Sequence, residues 1–549
     1  MTSAAAQDRS LSRSMVASAT GVVASESVLA SQVGARILEC GGNAVDAAVA
    51  MNAMLGLVAP MNDGIGGDLF ALIHQARDGR LYGLNASGPA PAALTIDFLQ
   101  RRRIDEMPAR GIHSVTVPGA VAGWEQLLRR YGSKGFAELL APAIAYAERG
   151  FPISDIVHAY WRDSADILRE DAATAAIFLP GGRAPHIGEL VTNPGLAWTY
   201  REIARHGRDA FYSGEVASRI LATVARHGGA MRAEDLARYE PEWVDPISTS
   251  YRGWRVFELP PNGQGVAVLE MLNIMERFAL GGMGHNSARA LHIMIESKKL
   301  AYADMLRYVG DPLFAEVPLA GLCSKDFAAT RARLIDPAKA NCRVPAGVPP
   351  GAGTNHGTTY LAVADRHGNM VSLIQSNFAS VGFGSGLAVE GAGFVLQNRG
   401  ALFTLEAGHP NALAGGKRPL HTIIPAFMEG EGQRIAFGIM GAWNQAQAHA
   451  QFVANLVDFR LDIQGALDAP RFSKDTFDGC DVNLEARIPE AARGELAALG
   501  HEIILRGDFS STLMGAGQAV ARDVARGMNF GASDPRKDGA AVTELLPFA

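Results

Sequence analysis

Apolar and polar positions along the 549-residue chain change their period several times. Over residues 29–58, apolar side chains recur near helical spacing (Val33, Ile37, Ala44, Ala47, Ala48, Met51, Met54, Leu55). Gly41-Gly42-Asn43 breaks that run into two helices. Asn43 suits the N-cap of the second, with Asp46 favourable in its first turn. Pro60 closes it, and Gly64-Ile65-Gly66-Gly67 turns the chain into a strand over 69–74. From about 120 to 340 the period is predominantly helical, with helices predicted over 137–148, 216–226, 266–278 and 288–308. Residues 342–357, CRVPAGVPPGAGTNHG, predict a mobile surface loop. A strand over 358–365 follows directly, then a turn at Arg366-His367-Gly368-Asn369 and a second strand over 371–376, together a hairpin.

Composition narrows the class. Residues of the AVILMFWYC set make up 48% and charged residues 19%, enough for a large core and incompatible with global disorder. The formal charge is −6, and the densest basic run, Arg101-Arg102-Arg103, reads as a solvated helix end, so nucleic acid is not an expected partner. Cys40, Cys323, Cys342 and Cys480 form no CxxC pair, so neither a zinc knuckle nor a disulfide framework is expected, and a reducing compartment fits. Residues 1–31 lack an apolar secretory core, and the most apolar stretch, 44–60, is too short to span a bilayer. The expectation is a soluble, cytoplasmic protein with no membrane partner. With no HExxH, no GxSxG and no cysteine cluster, neither a metal nor a cofactor is called for. Gly382-Phe383-Gly384-Ser385-Gly386 has the wrong spacing for a nucleophile elbow and reads as a flexible loop.

The chemistry concentrates where the Pro/Gly-rich loop meets the strand. A threonine hydroxyl is a weak nucleophile until a base takes its proton. A free α-amine, with a pKa of about 7.7–8.0, is such a base at neutral pH. Thr358 acquires one only if the chain is cut after Gly357, whose missing Cβ leaves its carbonyl open to hydroxyl attack. An N→O acyl shift by Thr358 followed by ester hydrolysis would yield chains 1–357 and 358–549. On local grounds alone, Gly-Thr-Thr is also an ordinary turn running into β-branched strand residues.

Three long blocks separate these readings. GGNAVDAAVAMNAMLGLVAPMNDGIGGDLF (41–70), TTYLAVADRHGNMVSLIQS (358–376) and FGSGLAVEGAGFVLQNRG (383–400) resemble, in order and spacing, the γ-glutamyltransferase family of N-terminal nucleophile hydrolases. The resemblance implies an α+β fold, a four-layer αββα sandwich with a largely helical middle region. It implies self-cleavage into a 1–357 chain and a 358–549 chain that form one intertwined domain. The two would persist as an αβ heterodimer, which in family members is sometimes paired again. It places the nucleophile at Thr358 and an orienting hydroxyl at Ser376. Gly441 and Ala442, in Gly438-Ile439-Met440-Gly441-Ala442, fall at the backbone amides of the oxyanion hole.

Departures from the family pattern fall on substrate binding. Segment 84–91 has Ser87 near the place of the family's carboxylate-binding arginine. In Gln397-Asn398-Arg399-Gly400-Ala401-Leu402, Arg399 replaces a neutral amide and Leu402 replaces the acid that holds a glutamyl ammonium. Paired serines become His421-Thr422, and two extra residues within 376–386 leave open whether Asn377 or Phe378 takes the family's asparagine position. Asn377, Asn398, Arg399 and His421 are the candidate substrate-binding residues, in a pocket expected to offer only cations, with Arg418 a further candidate. Arg399 also reads as a structural ion pair, and His421 as a satisfied buried histidine. The expected function is hydrolysis of a small carboxylate-bearing amide, as in the family's oxamate-amidohydrolase and cephalosporin-acylase branches. A γ-glutamyltransferase acting on glutathione is the alternative, and an unprocessed, silent binding protein a third reading.

Overall fold

A computed structural model describes residues 11–347, 359–378, 382–510 and 513–546. In chain order, the strands of its two large sheets begin with β1 (Val16–Ser18), β2 (Val22–Ser25), β3 (Asp68–Gln75) and β4 (Arg80–Ala86). Next come β5 (Glu242–Val244), β6 (Ile247–Tyr251), β7 (Trp254–Glu258), β8 (Thr359–Ala364) and β9 (Met370–Ser376). The last are β10 (Ala426–Gly430), β11 (Gln433–Met440), β12 (Ala516–Asp523), β13 (Met528–Ser533) and β14 (Ala540–Thr543). One sheet has the order β1-β13-β12-β11-β10-β7-β6, the other β14-β2-β8-β9-β3-β4-β5. The two stack face to face through Phe70, Tyr360, Ile374, Phe427, Ala436 and Val520. Helices cover both outer faces, so the layers run αββα.

Each central strand is buried on both faces, which explains its continuous apolar run. In β8, Tyr360, Ala362 and Ala364 enter the inter-sheet layer, whereas Leu361 and Val363 face helices. The helices α1 (Val28–Glu39) and α2 (Ala44–Val58) lie on that side. Asn43 caps α2: its side chain accepts from the Val45 and Asp46 amides, and Asp46 accepts from the Asn43 amide at 2.9 Å. The helices Phe136–Arg149, Glu215–Arg226, Gly265–Met275 and Ala288–Tyr308 match the periodic stretches of the middle region.

Residues 242–258 correct the predominantly helical reading of that middle region. They supply three strands, two of them extending the sheet that contains β11. Residues 382–386 are buried rather than a flexible loop: the Phe383 ring packs on Trp161 and Phe178, and Ser385 Oγ donates to the Leu396 carbonyl at 2.7 Å. Cys342 and Cys480 form a disulfide across 138 positions, against the expectation of none, since spacing carries no signal for so distant a pair. Of the expected loop 342–357, residues 348–357 lie outside the described residues, as does Thr358.

Both sheets mix strands from either side of residue 357. Strands β2 to β5 share a sheet with β8, β9 and β14, and β1, β6 and β7 share one with β10 to β13. Neither portion alone completes a sheet, so a chain cut near 357 would still be one folded body.

Candidate active site

Antiparallel pairing of β8 with β9 places Thr359 opposite Gln375, and β9 ends one residue later at Ser376. Thr359 Oγ1 donates to buried Glu26, whose other oxygen lies 3.4 Å from Lys537 Nζ. Ser376 Oγ accepts from the Phe378 amide at 2.8 Å. Gly357 and Thr358, the expected cut and nucleophile, lie outside the described residues.

Across the sandwich, β11 ends at Met440, and the next two residues turn into the helix Asn444–Val457. Gly441 has φ +130° and Ala442 φ +62°, so alanine occupies the left-handed region. Their carbonyls accept from the Asn444 and Gln445 amides at 2.9 and 3.1 Å, while no described acceptor takes either residue's own N–H. Two backbone donors just ahead of a helix N-terminus have the chemistry to receive an anion. Gln264 braces this turn: Nε2 donates to the Ala442 carbonyl at 2.7 Å and also to the Thr422 carbonyl.

Thr422 leads to a fully buried charged cluster. Arg399 Nη1 donates to Thr422 Oγ1 at 2.7 Å, and the guanidinium lies 4.3 Å from the centroid of the Phe378 ring. Nε and Nη2 of Arg399 have no partner among the described residues. Burial lowers the guanidinium pKa to about 9, opposed by the attraction of Asp68. Burial raises the Asp68 carboxyl to about 7, against the opposite pull of Arg399 and its hydrogen bonds. Asp68 Oδ1 accepts from the Gly88 amide and from Gln397 Nε2, both at 2.9 Å. Its Oδ2 lies 3.0 Å from His421 Nε2. Because His421 Nδ1 accepts from the Ile423 amide at 3.3 Å, the ring's hydrogen sits on Nε2 and points at Asp68. Burial, reinforced by Arg399, pushes His421 well below its ordinary value, so it is a neutral donor.

The expected residues therefore separate. Arg399 is at the centre, whereas His421 spends both ring nitrogens inside the protein and holds Asp68. Asn377 Nδ2 donates to the Asp63 carbonyl at 2.6 Å, and Asn398 Nδ2 to the Ala109 carbonyl at 2.7 Å, so both tie loops. Phe378, not Asn377, lies against Arg399. Arg418 is engaged by Glu242 and Asp311 at 2.7 and 3.2 Å and is not a pocket cation. Ser87 donates to Asn85 Oδ1 at 2.8 Å, in a buried group with Asn262. The expectation of cations alone is corrected by Asp68, which stands inside the Gly-Gly-Asp of the first block and was not singled out. Gln264 and Asn262 carried no sequence signal of their own.

Among the described residues, His292, Glu296 and His501 bring ligand atoms within 4.8 Å of one another. His292 uses its nitrogens on His501 and the Asp336 carbonyl, both at 2.8 Å, and Glu296 holds Lys299 at 2.7 Å. His292 and Glu296 are thus engaged with protein partners beside the disulfide, and His501 Nδ1 alone of these ring nitrogens has no partner among the described residues.

Comparison with known proteins decides the family. The family model described as gamma-glutamyltranspeptidase matches residues 30–544. The chain belongs to this family. It is 36% identical over 528 residues to the glutathione hydrolase-like YwrD proenzyme of Bacillus subtilis, covering 95% of this chain and 98% of that one. It is 32% identical to the oxamate amidohydrolase proenzyme of Klebsiella pneumoniae, covering 94% and 96%. The crystal structure of cephalosporin acylase from Bacillus halodurans superimposes with a TM-score of 0.91 at 41% identity, covering 99% of both chains. This chain is thus a gamma-glutamyltranspeptidase-family proenzyme and an amidohydrolase of the N-terminal nucleophile type, with the fold of that class.

Proposed function

We propose that this family member hydrolyses a small amide bearing a carboxylate next to the scissile bond, with oxamate as the simplest case. One observation carries the reading: Arg399 is fully buried with two guanidinium donors unpartnered among the described residues. Desolvating a cation is costly unless acceptors replace its water. Asp68 does not meet this need: neither unpartnered Arg399 donor is hydrogen-bonded to it, and its oxygens accept from Gly88, Gln397 and His421 instead. A planar carboxylate matches the two donors, Nε and Nη2, in geometry and charge. Thr422 Oγ1 accepts from Arg399 and retains a hydrogen to donate beside it. With Leu402 at the family's acid position and Asp68 bonded to Gly88, Gln397 and His421, we assign no acid among the described residues to a substrate ammonium. The relative named as an oxamate amidohydrolase proenzyme agrees in kind.

In this reading the chain cuts itself between Gly357 and Thr358. The new α-amine of Thr358 takes the proton of its own hydroxyl as the oxygen attacks the amide carbonyl. Ser376 orients that hydroxyl, and the Gly441 and Ala442 amides receive the oxyanion. The amine then protonates the leaving nitrogen, and water hydrolyses the ester. The mixed sheets support persistence of chains 1–357 and 358–549 as a heterodimer. Turnover of oxamate against γ-glutamyl-p-nitroanilide by the matured protein tests the substrate class. Faster turnover of the glutamyl compound would favour glutathione chemistry instead.

A further inference from the structure

We propose that the disulfide between Cys342 and Cys480 joins the two chains of the processed protein covalently. This rests on the cut at 357/358 proposed above, because Cys342 belongs to chain 1–357 and Cys480 to chain 358–549.

The protein aligns the two cysteines by contacts independent of the sulfurs. The Gly479 amide donates to the Cys342 carbonyl at 2.9 Å, and the Ala340 amide to the Leu499 carbonyl at 2.7 Å. Lys299 Nζ donates to the Asn341 carbonyl at 2.9 Å, while Glu296, its ion-pair partner, accepts from the Asn341 amide at 3.3 Å. Residues 340–342 are thus docked on a surface that includes 479 and 499. Cys480 is buried and Cys342 exposed, so an exchange partner has access from the Cys342 side.

The cross-link also anchors the approach to the cut. Arg331 Nη2 donates to the Pro345 carbonyl at 3.0 Å, Tyr308 Oη to the Gly347 carbonyl at 2.8 Å, and Asp304 accepts from the Gly347 amide. Residues 340–347 are held by these contacts and by the disulfide, leaving residues 348–357 before the scissile bond.

The chemistry balances in two separate steps. Self-cleavage consumes one water and changes no oxidation state. Cross-linking removes two protons and two electrons from the thiols. A small-molecule disulfide accepts them by exchange: it captures one cysteine as a mixed disulfide, the second cysteine displaces it, and two small thiols are released.

Denaturing gels of the purified protein, alkylated with N-ethylmaleimide after incubation with oxidised glutathione, test this. Without reductant, a single species of 58.1 kDa is expected; with dithiothreitol, two bands are expected. Two bands without reductant would overturn the cross-link while leaving the cut intact. One band with reductant would overturn the cut. In that case, a tryptic peptide pair linking Cys342 to Cys480 would still report the bond, and its absence would refute that too. Cys342→Ser, on the exposed side, should convert the single unreduced species into two, and Cys480→Ser should repeat the effect from the buried side.

Discussion

Replacing Arg399 with glutamine tests the substrate assignment most directly. The variant removes both unpartnered donors, of which glutamine can restore one without charge. Hydrogen bonds to charged groups contribute roughly 1.5–3 kcal/mol each, so the expected net loss is about 2–4 kcal/mol. At about 1.4 kcal/mol per factor of ten, kcat/KM for oxamate should fall by about 30-fold to about 700-fold. The variant should keep its fold, because Asp68 is not left as an unpaired charge. Without Arg399, burial raises that carboxyl further and keeps it neutral. Initial rates of ammonia release from oxamate and from oxamide, its uncharged counterpart, provide the assay. Oxamide turnover should stay within about threefold of the unmodified enzyme, because its carboxamide never used the guanidinium charge. Arg399→Lys should recover part of the oxamate loss, since it restores the charge without the fork. Equal losses on both compounds would refute the reasoning and return Arg399 to a structural role.

In this reading Asp68, raised to about 7, should make oxamate binding pH-dependent: the neutral acid leaves the Arg399 charge unopposed, whereas the carboxylate's charge partly offsets it across space. KM for oxamate should therefore rise between about pH 6 and pH 8 while KM for oxamide stays level; initial rates across that range check it. The same raised value stabilises the fold fully below the unfolded carboxyl's ordinary range, and this contribution is lost as pH rises through about 7, which a series of thermal midpoints would show. Thr358→Ala should remain one chain of 58.1 kDa with no hydrolysis, and mass spectra showing a break at 357/358 in that variant would exclude Thr358 as the cleaving group. Ala442 at φ +62° stores roughly 1–2 kcal/mol of backbone strain, so Ala442→Gly should keep kcat while Ala442→Val lowers both kcat and the denaturation midpoint.

The fold was legible where one interaction dominated a segment. Asn43 and Asp46 announced a helix start through local hydrogen bonds, and the structure closes that capping box. The 359–376 hairpin was legible because β-branched and apolar runs flank a short polar turn. The strands at 242–258 were not: β6 and β7 pair locally around Arg252-Gly253 inside a helical texture, while β5 and the other edge of β7 depend on β4 and β10, far away in sequence. Cys342 and Cys480 were illegible for the same reason, with 138 positions between them and contacts at 340, 342, 479 and 499 bringing them together.

The candidate site divides along a similar line. Arg399, Thr422 and the Gly441-Ala442 corner could be located because the family resemblance places them residue by residue. What those residues do in this protein depends on contacts no alignment of motifs contains. His421, read from sequence both as a pocket cation and as a satisfied buried histidine, is the latter: burial and Arg399 keep it neutral, Ile423 fixes its tautomer and Asp68 takes its hydrogen. Asp68 was not singled out in the sequence, yet its attraction opposes the effect of burial on Arg399. Arg418 resembled a pocket cation until Asp311 and Glu242 were found on it. Three basic residues thus have three roles, set by their partners: a hydroxyl for Arg399, a carboxylate and an amide for His421, and two carboxylates for Arg418. In the reading proposed here, specificity turns on which buried donors remain unpaired among the described residues, and the two on Arg399 would favour an acid.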